Sequence, residues 1–197
     1  MLEKIILEIK QKAQENHIPI VRDQTIEKVV DIINKNNFKS ILEIGTAVGY
    51  SGIMMLNSSA QSLTTIEKNL ARFNEAKANF KLCNLEERVR LFLGDALEEL
   101  EKLVLKEEKF DFIFLDGPKG QYIRYLPYLK SLLNKGGIIF ADNILMGGLI
   151  DDEKRVNHKN RAMVKNMKAF LNAIQTDSQL ETTLFRIEDG YSISKLI

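Results

Sequence analysis

The sequence predicts an α/β fold in which seven strands form a mostly parallel sheet with helices on both faces, ending in an antiparallel C-terminal hairpin. Two observations support this. Short apolar, β-branched segments alternate with helix-compatible segments along most of the chain, which is typical of a parallel sheet. Asp189-Gly190 then separates two further strand-like segments, which indicates a hairpin turn. The 197 residues suffice for a single domain, 1–197.

The strands are predicted from short runs of alternating or continuous apolar residues, bounded by turn-forming residues. They are residues 40–44, 62–66, 89–93, 110–115, 138–141, 182–187 and 191–196. The helices are predicted at residues 2–15, 23–38, 51–57, 69–82, 96–105, 122–133 and 158–174. Asp23 and Asn69 are the expected N-caps, residues 134–137 are expected to end a helix, and residues 146–157 are expected to form a polar loop.

The stretch from Ser40 to Ser51 organises the predicted fold, because a buried strand leads into a turn bracketed by Gly45 and Gly49. Glycines let the backbone approach a ligand closely, although many such turns only connect a strand to a helix. Glu43 lies within the apolar strand, and Glu67 ends the next strand, where an acid can bind ribose hydroxyls. The spacing is not the pyrophosphate-binding one, so a nucleoside such as S-adenosylmethionine is favoured.

Polar side chains also follow the other predicted strands, at the edge where open parallel sheets bind ligands. Asp95 follows the third strand, Asp116 the fourth, and Asp142 with Asn143 the fifth. Because hard divalent cations prefer oxygen ligands, the last three residues are a candidate metal site. Lys119 lies three residues beyond Asp116, and near a cation its pKa would be lowered, as a general base requires.

Composition excludes several classes of protein. A net charge of +1 gives no global sign of a nucleic-acid partner, and the single cysteine, Cys83, cannot form an internal disulfide. No apolar run is long enough to span a membrane, and the first ten residues form an amphipathic pattern unlike a signal peptide. We therefore expect a cytoplasmic protein without a membrane partner.

These motifs together resemble the cation-dependent O-methyltransferases, the family that includes catechol and caffeoyl-coenzyme-A methyltransferases and bacterial relatives. The resemblance runs from about Ile18 to the final hairpin. It rests on Leu42-Glu43-Ile44-Gly45 with Gly49-Tyr50-Ser51, Thr65-Ile66-Glu67, Gly94-Asp95-Ala96, Leu115-Asp116 with Lys119 and Tyr122, and Ala141-Asp142-Asn143 with Gly147. It implies a Rossmann-like class I methyltransferase fold and a homodimer.

The resemblance also implies the roles of individual residues. Those expected around S-adenosylmethionine are Ile20, Val21, Glu43, Gly45, Gly49, Tyr50, Ser51, Glu67, Lys68, Asp95, Ala96 and Asp116. The helices within residues 1–37 are expected to cover that site. Asp116, Asp142 and Asn143 are expected to bind Mg²⁺ or another divalent cation, with Lys119 and Asp116 as the catalytic residues.

The substrate is less constrained by the sequence. The chain lacks tryptophan, and Gly117-Pro118 stands where catechol enzymes carry bulky rings. Basic residues follow the fifth strand: Lys154, Arg155, His158, Lys159, Arg161, Lys165 and Lys168. They form either a solvated helix face or a phosphate-contacting patch, and the latter is similar to bacterial members that methylate 5-hydroxyuridine at the tRNA wobble position. We therefore expect tRNA to be the substrate, with a small phenolic molecule as the alternative substrate. A non-catalytic nucleotide-sensing domain is the alternative from another functional class.

Overall fold

The computed structural model describes residues 2–197, so Met1, which belongs to the predicted amphipathic pattern of the first ten residues, lies outside the described residues. Seven strands form the sheet: β1 (Ser40–Ile44), β2 (Ser62–Glu67), β3 (Val89–Leu93), β4 (Phe110–Leu115), β5 (Leu133–Asp142), β6 (Leu180–Phe185) and β7 (Tyr191–Leu196). Their order is β3-β2-β1-β4-β5-β7-β6. The predicted fold class is confirmed.

The helices alternate with these strands along the chain. They are α1 (Leu2–Glu15), α2 (Asp23–Asn36), α3 (Tyr50–Leu56), α4 (Leu70–Leu82), α5 (Ala96–Leu105), α6 (Tyr122–Leu132) and α7 (Arg161–Thr176). Within residues 2–197, no helix combines the length and the apolar character needed to cross a membrane.

The chain divides into two compact units, and the first ends at Glu99. In this unit β2 pairs in parallel with both β1 and β3. The apolar side chains of β1 are fully buried, which explains its continuous hydrophobic pattern. Helices α1 and α2 pack against α3, the helix that follows the glycine turn.

The second unit begins at Leu100. Here β4 and β5 are parallel, whereas β7 is antiparallel to both β5 and β6. The ring of Tyr191 stacks between those of Phe140 and Phe185, with centroids 4.8 Å away on each side. Between β4 and β5 the register shifts: Phe110 pairs with Leu133, but the next pair joins Phe112 to Ile138, so β5 contains a bulge.

Several predicted boundaries are wrong. Residues 134–137 do not end a helix but form this bulge, and β5 already begins at Leu133. Helix α7 begins at Arg161 rather than at residue 158, because Asn157 and Asn160 bond the preceding backbone into a turn. Strand β6 spans Leu180–Phe185, two residues earlier than predicted, since Leu180 is buried and pairs with Leu196.

The two predicted N-caps differ in outcome. The side chain of Asn69 accepts a hydrogen bond from the backbone N–H of Arg72 at 3.0 Å, so this cap is confirmed. Asp23 is not a cap but the first residue of α2. Its two carboxylate oxygens instead accept hydrogen bonds from Lys10 Nζ at 2.6 and 2.7 Å, so the ion pair replaces the cap.

Candidate functional site

The glycine turn after β1 has the conformation that its sequence predicts. Gly45 and Gly49 have φ values of 103° and 83°, in the left-handed region where a side chain would be strained. The backbone N–H groups of Gly45 and Thr46 bond the carbonyl of Ile66, at 3.1 and 3.3 Å. The turn is thereby fixed against β2, and α3 begins at Tyr50 directly after it.

Glu43 lies beneath this turn and is completely buried. One carboxylate oxygen accepts a hydrogen bond from Ser51 Oγ, and the other accepts one from Thr65 Oγ1 at 2.6 Å. Thr65 Oγ1 is also 2.6 Å from Thr46 Oγ1. The carboxylate that the sequence places inside an apolar strand therefore links β1, β2, the turn and α3.

Glu67, at the end of β2, supports the same turn from the other side. Its Oε2 accepts from the N–H of Ala47 at 2.9 Å, and its Oε1 accepts from the N–H of Asn69 at 2.7 Å. Ala47 has a φ of 47°, so this contact stabilises an unfavourable backbone conformation. Each carboxylate oxygen can accept a further hydrogen bond, which is what binding two ribose hydroxyls would require.

The remaining residues predicted around the cofactor vary in exposure. Lys68 Nζ donates to Asp95 Oδ2 at 2.9 Å, and this hydrogen bond raises the pKa of Lys68. Ala96 and Val21 are buried, whereas Ile20 is only half-buried.

Tyr50 is buried as well, and burial raises its pKa. Helices α1 and α2 both pack against α3, whose first residue is Tyr50. The charges of Lys10 and Asp23 shift the pKa of Tyr50 in opposite directions.

One buried residue of this region was missed in the sequence. Asn79, on α4, is 7% exposed and its Nδ2 donates to the carbonyl of Val48 at 2.8 Å. The sequence does contain a signal for it, because Asn79 is a single amide on the apolar face of a predicted helix and so needs a buried hydrogen-bond partner. Its hydrogen bond fixes the part of the glycine turn that precedes Gly49.

A second group of predicted residues follows β4. Lys119 Nζ donates to Asp116 Oδ1 at 2.7 Å and to Tyr122 Oη at 2.9 Å, and the side chains of both charged residues are about four-fifths buried. Tyr122 is fully buried, and its hydroxyl donates to the carbonyl of Leu115 at 2.9 Å. A longer contact, 3.4 Å, joins this hydroxyl to the carbonyl of Asp142.

The protein groups around Lys119 act on its pKa in opposite directions, and the lowered pKa that is expected beside a bound cation stays a prediction. Burial favours the neutral amine, but the Tyr122 oxygen and the Asp116 carboxylate outweigh it and raise the pKa above its ordinary value. The pKa of Tyr122 is raised by burial. In this arrangement Lys119 is a charged partner of Asp116.

Asp142 ends β5 and is 4% exposed. Burial and, to a smaller extent, the negative charge of Asp116 raise its pKa to about 6. Asn143 follows with a φ of 55°, and its N–H donates to Asp142 Oδ1 at 2.8 Å. Leu115 pairs with Ala141 in the parallel register of β4 and β5, so Asp116 and Asp142 follow at neighbouring strand ends. Two carboxylates at adjacent strand ends are an environment that a divalent cation stabilises.

This donor set contains two carboxylates and one amide. The described residues contain no group of three or more His, Cys, Asp or Glu side chains suited to a metal ion. A Mg²⁺-type ion that keeps several waters requires only one or two protein carboxylates, so the chemistry of the set fits such an ion.

The predicted basic patch is only partly assembled. Arg161, Lys165 and Lys168 of α7 line a cavity of about 350 Å³ together with Val156 and Val164. Arg155 lies apart from this lining and donates to the carbonyl of Gly147 at 3.0 Å, while His158 and Lys159 are exposed in the turn before α7.

Comparisons with known proteins identify the family of this chain. A family model described as O-methyltransferase matches residues 2–197. The chain is 28% identical over 152 residues to a catechol O-methyltransferase from Niastella koreensis, covering 76% of this chain and 67% of that protein.

Two solved structures are similar over 98% of this chain, each with a TM-score of 0.89. One is a candidate caffeoyl-CoA O-methyltransferase from Staphylococcus aureus, with 32% identity and 92% of its chain covered. The other is an O-methyltransferase from Bacillus cereus in complex with SAH, with 25% identity and 91% covered.

Proposed function

We propose that this chain, which belongs to the O-methyltransferase family, transfers the methyl group of S-adenosylmethionine to a hydroxyl of a small molecule. The substrate is catechol-like or phenolic, and a divalent cation such as Mg²⁺ assists the transfer. One observation supports this above all. Asp116 and the buried Asp142 follow the paired residues Leu115 and Ala141 at neighbouring strand ends, and Lys119 Nζ lies 2.7 Å from Asp116.

The cation would be held by Asp116, Asp142 and Asn143. When bound, it would lower the pKa of the substrate hydroxyl and orient its oxygen toward the methyl group. The ion pair with Asp116 stabilises the charged form of Lys119. Lys119 could accept the hydroxyl proton only as the neutral amine, so it would first have to release its own proton to solvent. A cation held by Asp116 would favour this release by weakening the ion pair.

The methyl transfer itself forms a carbon–oxygen bond as the carbon–sulfur bond of the sulfonium breaks. The hydroxyl proton passes to Lys119, and the bonding electrons leave with sulfur. In this proposal Glu67, Asp95 and the turn of Gly45 to Gly49 bind and orient the donor. Holding both reactants in position supplies a large part of the rate enhancement.

Transfer of labelled methyl groups to a catechol panel tests the proposal. We expect label in a vicinal diol with Mg²⁺, and its loss on addition of a chelator. Asp142→Asn should abolish the activity, while Asp151→Asn, which alters an exposed ion pair with Arg186, should leave it unchanged. Activity that persists at full rate in chelator would refute the role of the cation.

A second candidate substrate is 5-hydroxyuridine at the wobble position of tRNA. It is favoured by the cavity beside Arg161, Lys165 and Lys168, because clustered cations contact phosphates. We expect Lys165→Glu to reduce methylation of tRNA from a strain that lacks its own wobble methylation, and Lys135→Glu, an exposed control, to have no effect. Label in catechols alone would identify the basic residues as a solvated face.

The non-catalytic nucleotide-sensing alternative is set aside, because the O-methyltransferase model matches residues 2–197. The expected homodimer stays a prediction. Sedimentation equilibrium would test it, and a mass of a single chain across the concentration range would contradict it.

A further inference from the structure

The segment that follows β5 has an irregular backbone. Asn143, Met146, Gly147 and Gly148 all have positive φ values, between 53° and 83°. Two of these residues are not glycine, and such conformations persist only where the surroundings stabilise them. This segment begins with the Asp142–Asn143 pair, so its support decides where those two side chains are held.

The turn between β6 and β7 supplies much of that support. The N–H of Ile144 donates to the carbonyl of Gly190 at 3.0 Å, and the N–H of Leu145 donates to the carbonyl of Asp189 at 2.9 Å. The N–H of Gly147 donates to the Oδ1 atom of Asp189. One carboxylate and two carbonyls of the turn therefore bind three N–H groups of the segment.

The contact between the turn and the segment is also sterically close. A Cβ atom at Gly190 would lie 2.5 Å from Leu145 Cγ and 2.9 Å from its Cδ1. Ile144 is fully buried and Leu145 is 9% exposed, so the two residues that receive the turn are part of the core. The turn is thus in close contact with the segment at Ile144 and Leu145, and the side chain of Asp189 extends this contact to Gly147.

We propose that Asp189 is a positioning residue that holds Asp142 and Asn143 in place for a divalent cation, by fixing the backbone that follows them. The inference rests on the cation site of the proposed function. Asp189 acts through its side-chain oxygen, which accepts the Gly147 N–H. Residues that orient metal ligands in this way typically change metal affinity by about 10- to 100-fold when removed.

Binding of Mn²⁺ to the full chain, followed by electron paramagnetic resonance, tests this without relying on activity. We expect Asp189→Ala to weaken Mn²⁺ binding by about 10-fold or more. Asp189→Asn should stay within about 3-fold of the wild type, because its amide oxygen can still accept the Gly147 N–H. Asp151→Asn, in the same region but paired with Arg186, should bind like the wild type.

The outcomes separate the inference from the function on which it rests. If the wild type binds no Mn²⁺, the cation site itself fails. If the wild type binds and Asp189→Ala binds equally well, only the positioning role fails. Loss of affinity in Asp189→Asn as large as in Asp189→Ala would also overturn it, since an acceptor would then not suffice.

Kinetics and a second variant complete the test. We expect Asp189→Ala to lower kcat and raise the Mg²⁺ concentration needed for half-maximal rate, with the KM for S-adenosylmethionine unchanged. A rise in that KM alone would contradict the proposal. If Asp189→Ala does not fold, Asp189→Ser, whose hydroxyl is too short to reach Gly147, takes its place with the same expected loss.

Discussion

Replacement of Tyr122 by Phe would remove one fully buried hydroxyl while keeping the ring. That hydroxyl accepts from Lys119 Nζ and donates to the carbonyl of Leu115, both at 2.9 Å. The edge-on contact of the ring with Phe170, at 5.4 Å between centroids, would remain. The substitution therefore isolates the hydrogen bonds from the packing.

The size of the effect on stability follows from these contacts. Loss of a buried hydrogen-bonding group costs about 1–3 kcal/mol, and one of the partners here is charged. We expect the free energy of unfolding to fall by about 2 kcal/mol, which corresponds to a Tm lower by about 4–8 °C for a domain of this length. Thermal denaturation followed by circular dichroism measures this change.

The effect on activity has a separate cause. If Asp116 holds a cation, its ion pair with Lys119 would weaken, and the hydroxyl of Tyr122 would remain as a partner that keeps Lys119 Nζ in place. We expect kcat to fall by about 10- to 100-fold, with the KM for S-adenosylmethionine unchanged.

Tyr128→Phe, at a half-buried position on α6, is the matched control and should change neither the free energy of unfolding nor kcat. A wild-type kcat in Tyr122→Phe would refute the reasoning.

Three further predictions concern stability. Ser51→Ala removes a hydroxyl that donates a hydrogen bond to the buried Glu43, so the free energy of unfolding measured in urea should fall by about 1–3 kcal/mol. An unchanged urea midpoint would show that water replaces the hydroxyl. Gly52→Ala places a Cβ atom 2.7 Å from Leu63 Cδ2, so we expect the free energy of unfolding to fall by about 1–3 kcal/mol, as measured by calorimetry. An unchanged free energy of unfolding would mean that α3 shifts without cost. The hydrogen bond from Lys130 lowers the pKa of Asp177 in the folded state. The pair therefore stabilises the fold at pH values above the unfolded-state pKa of Asp177, about 4, and this stabilisation is lost as the pH falls through its folded-state pKa. Lys130→Met should flatten that acid decline, and a decline like that of the wild type would contradict the assignment.

The sheet and the acidic residues at its edge are predictable from the sequence, because buried strands and glycine turns leave strong local patterns. The position of Glu43 illustrates this, since an acid within an apolar strand must find partners. Its partners were not predictable. Ser51 is close in sequence, but Thr65 comes from the neighbouring strand, and the parallel register that brings it there is a tertiary property.

The wrong predictions have two causes. In one, a residue distant in sequence binds the side chain in question, and in the other, a local pattern fits two kinds of backbone structure. Asp23 has the position and chemistry of an N-cap, yet Lys10 of α1 binds its carboxylate. Asn-Lys-Gly-Gly at residues 134–137 is typical of a helix end, but the strand had already begun at Leu133. The ion pair between Lys119 Nζ and Asp116, 2.7 Å apart, was also not predicted, because a spacing of three residues does not by itself show that two side chains are in contact.

The bulge in β5 has a consequence for how homologous chains can differ in length. A Cβ atom added to Gly136, within the bulge, would have no neighbouring atom within 4 Å, so the backbone there faces open space. From Ile138 to Asp142, by contrast, every residue has a partner on β7. An inserted residue in that part would turn the carboxylate of Asp142 to the opposite face of the sheet, because strand side chains alternate. Insertions and deletions in this region should therefore be confined to residues 134–137.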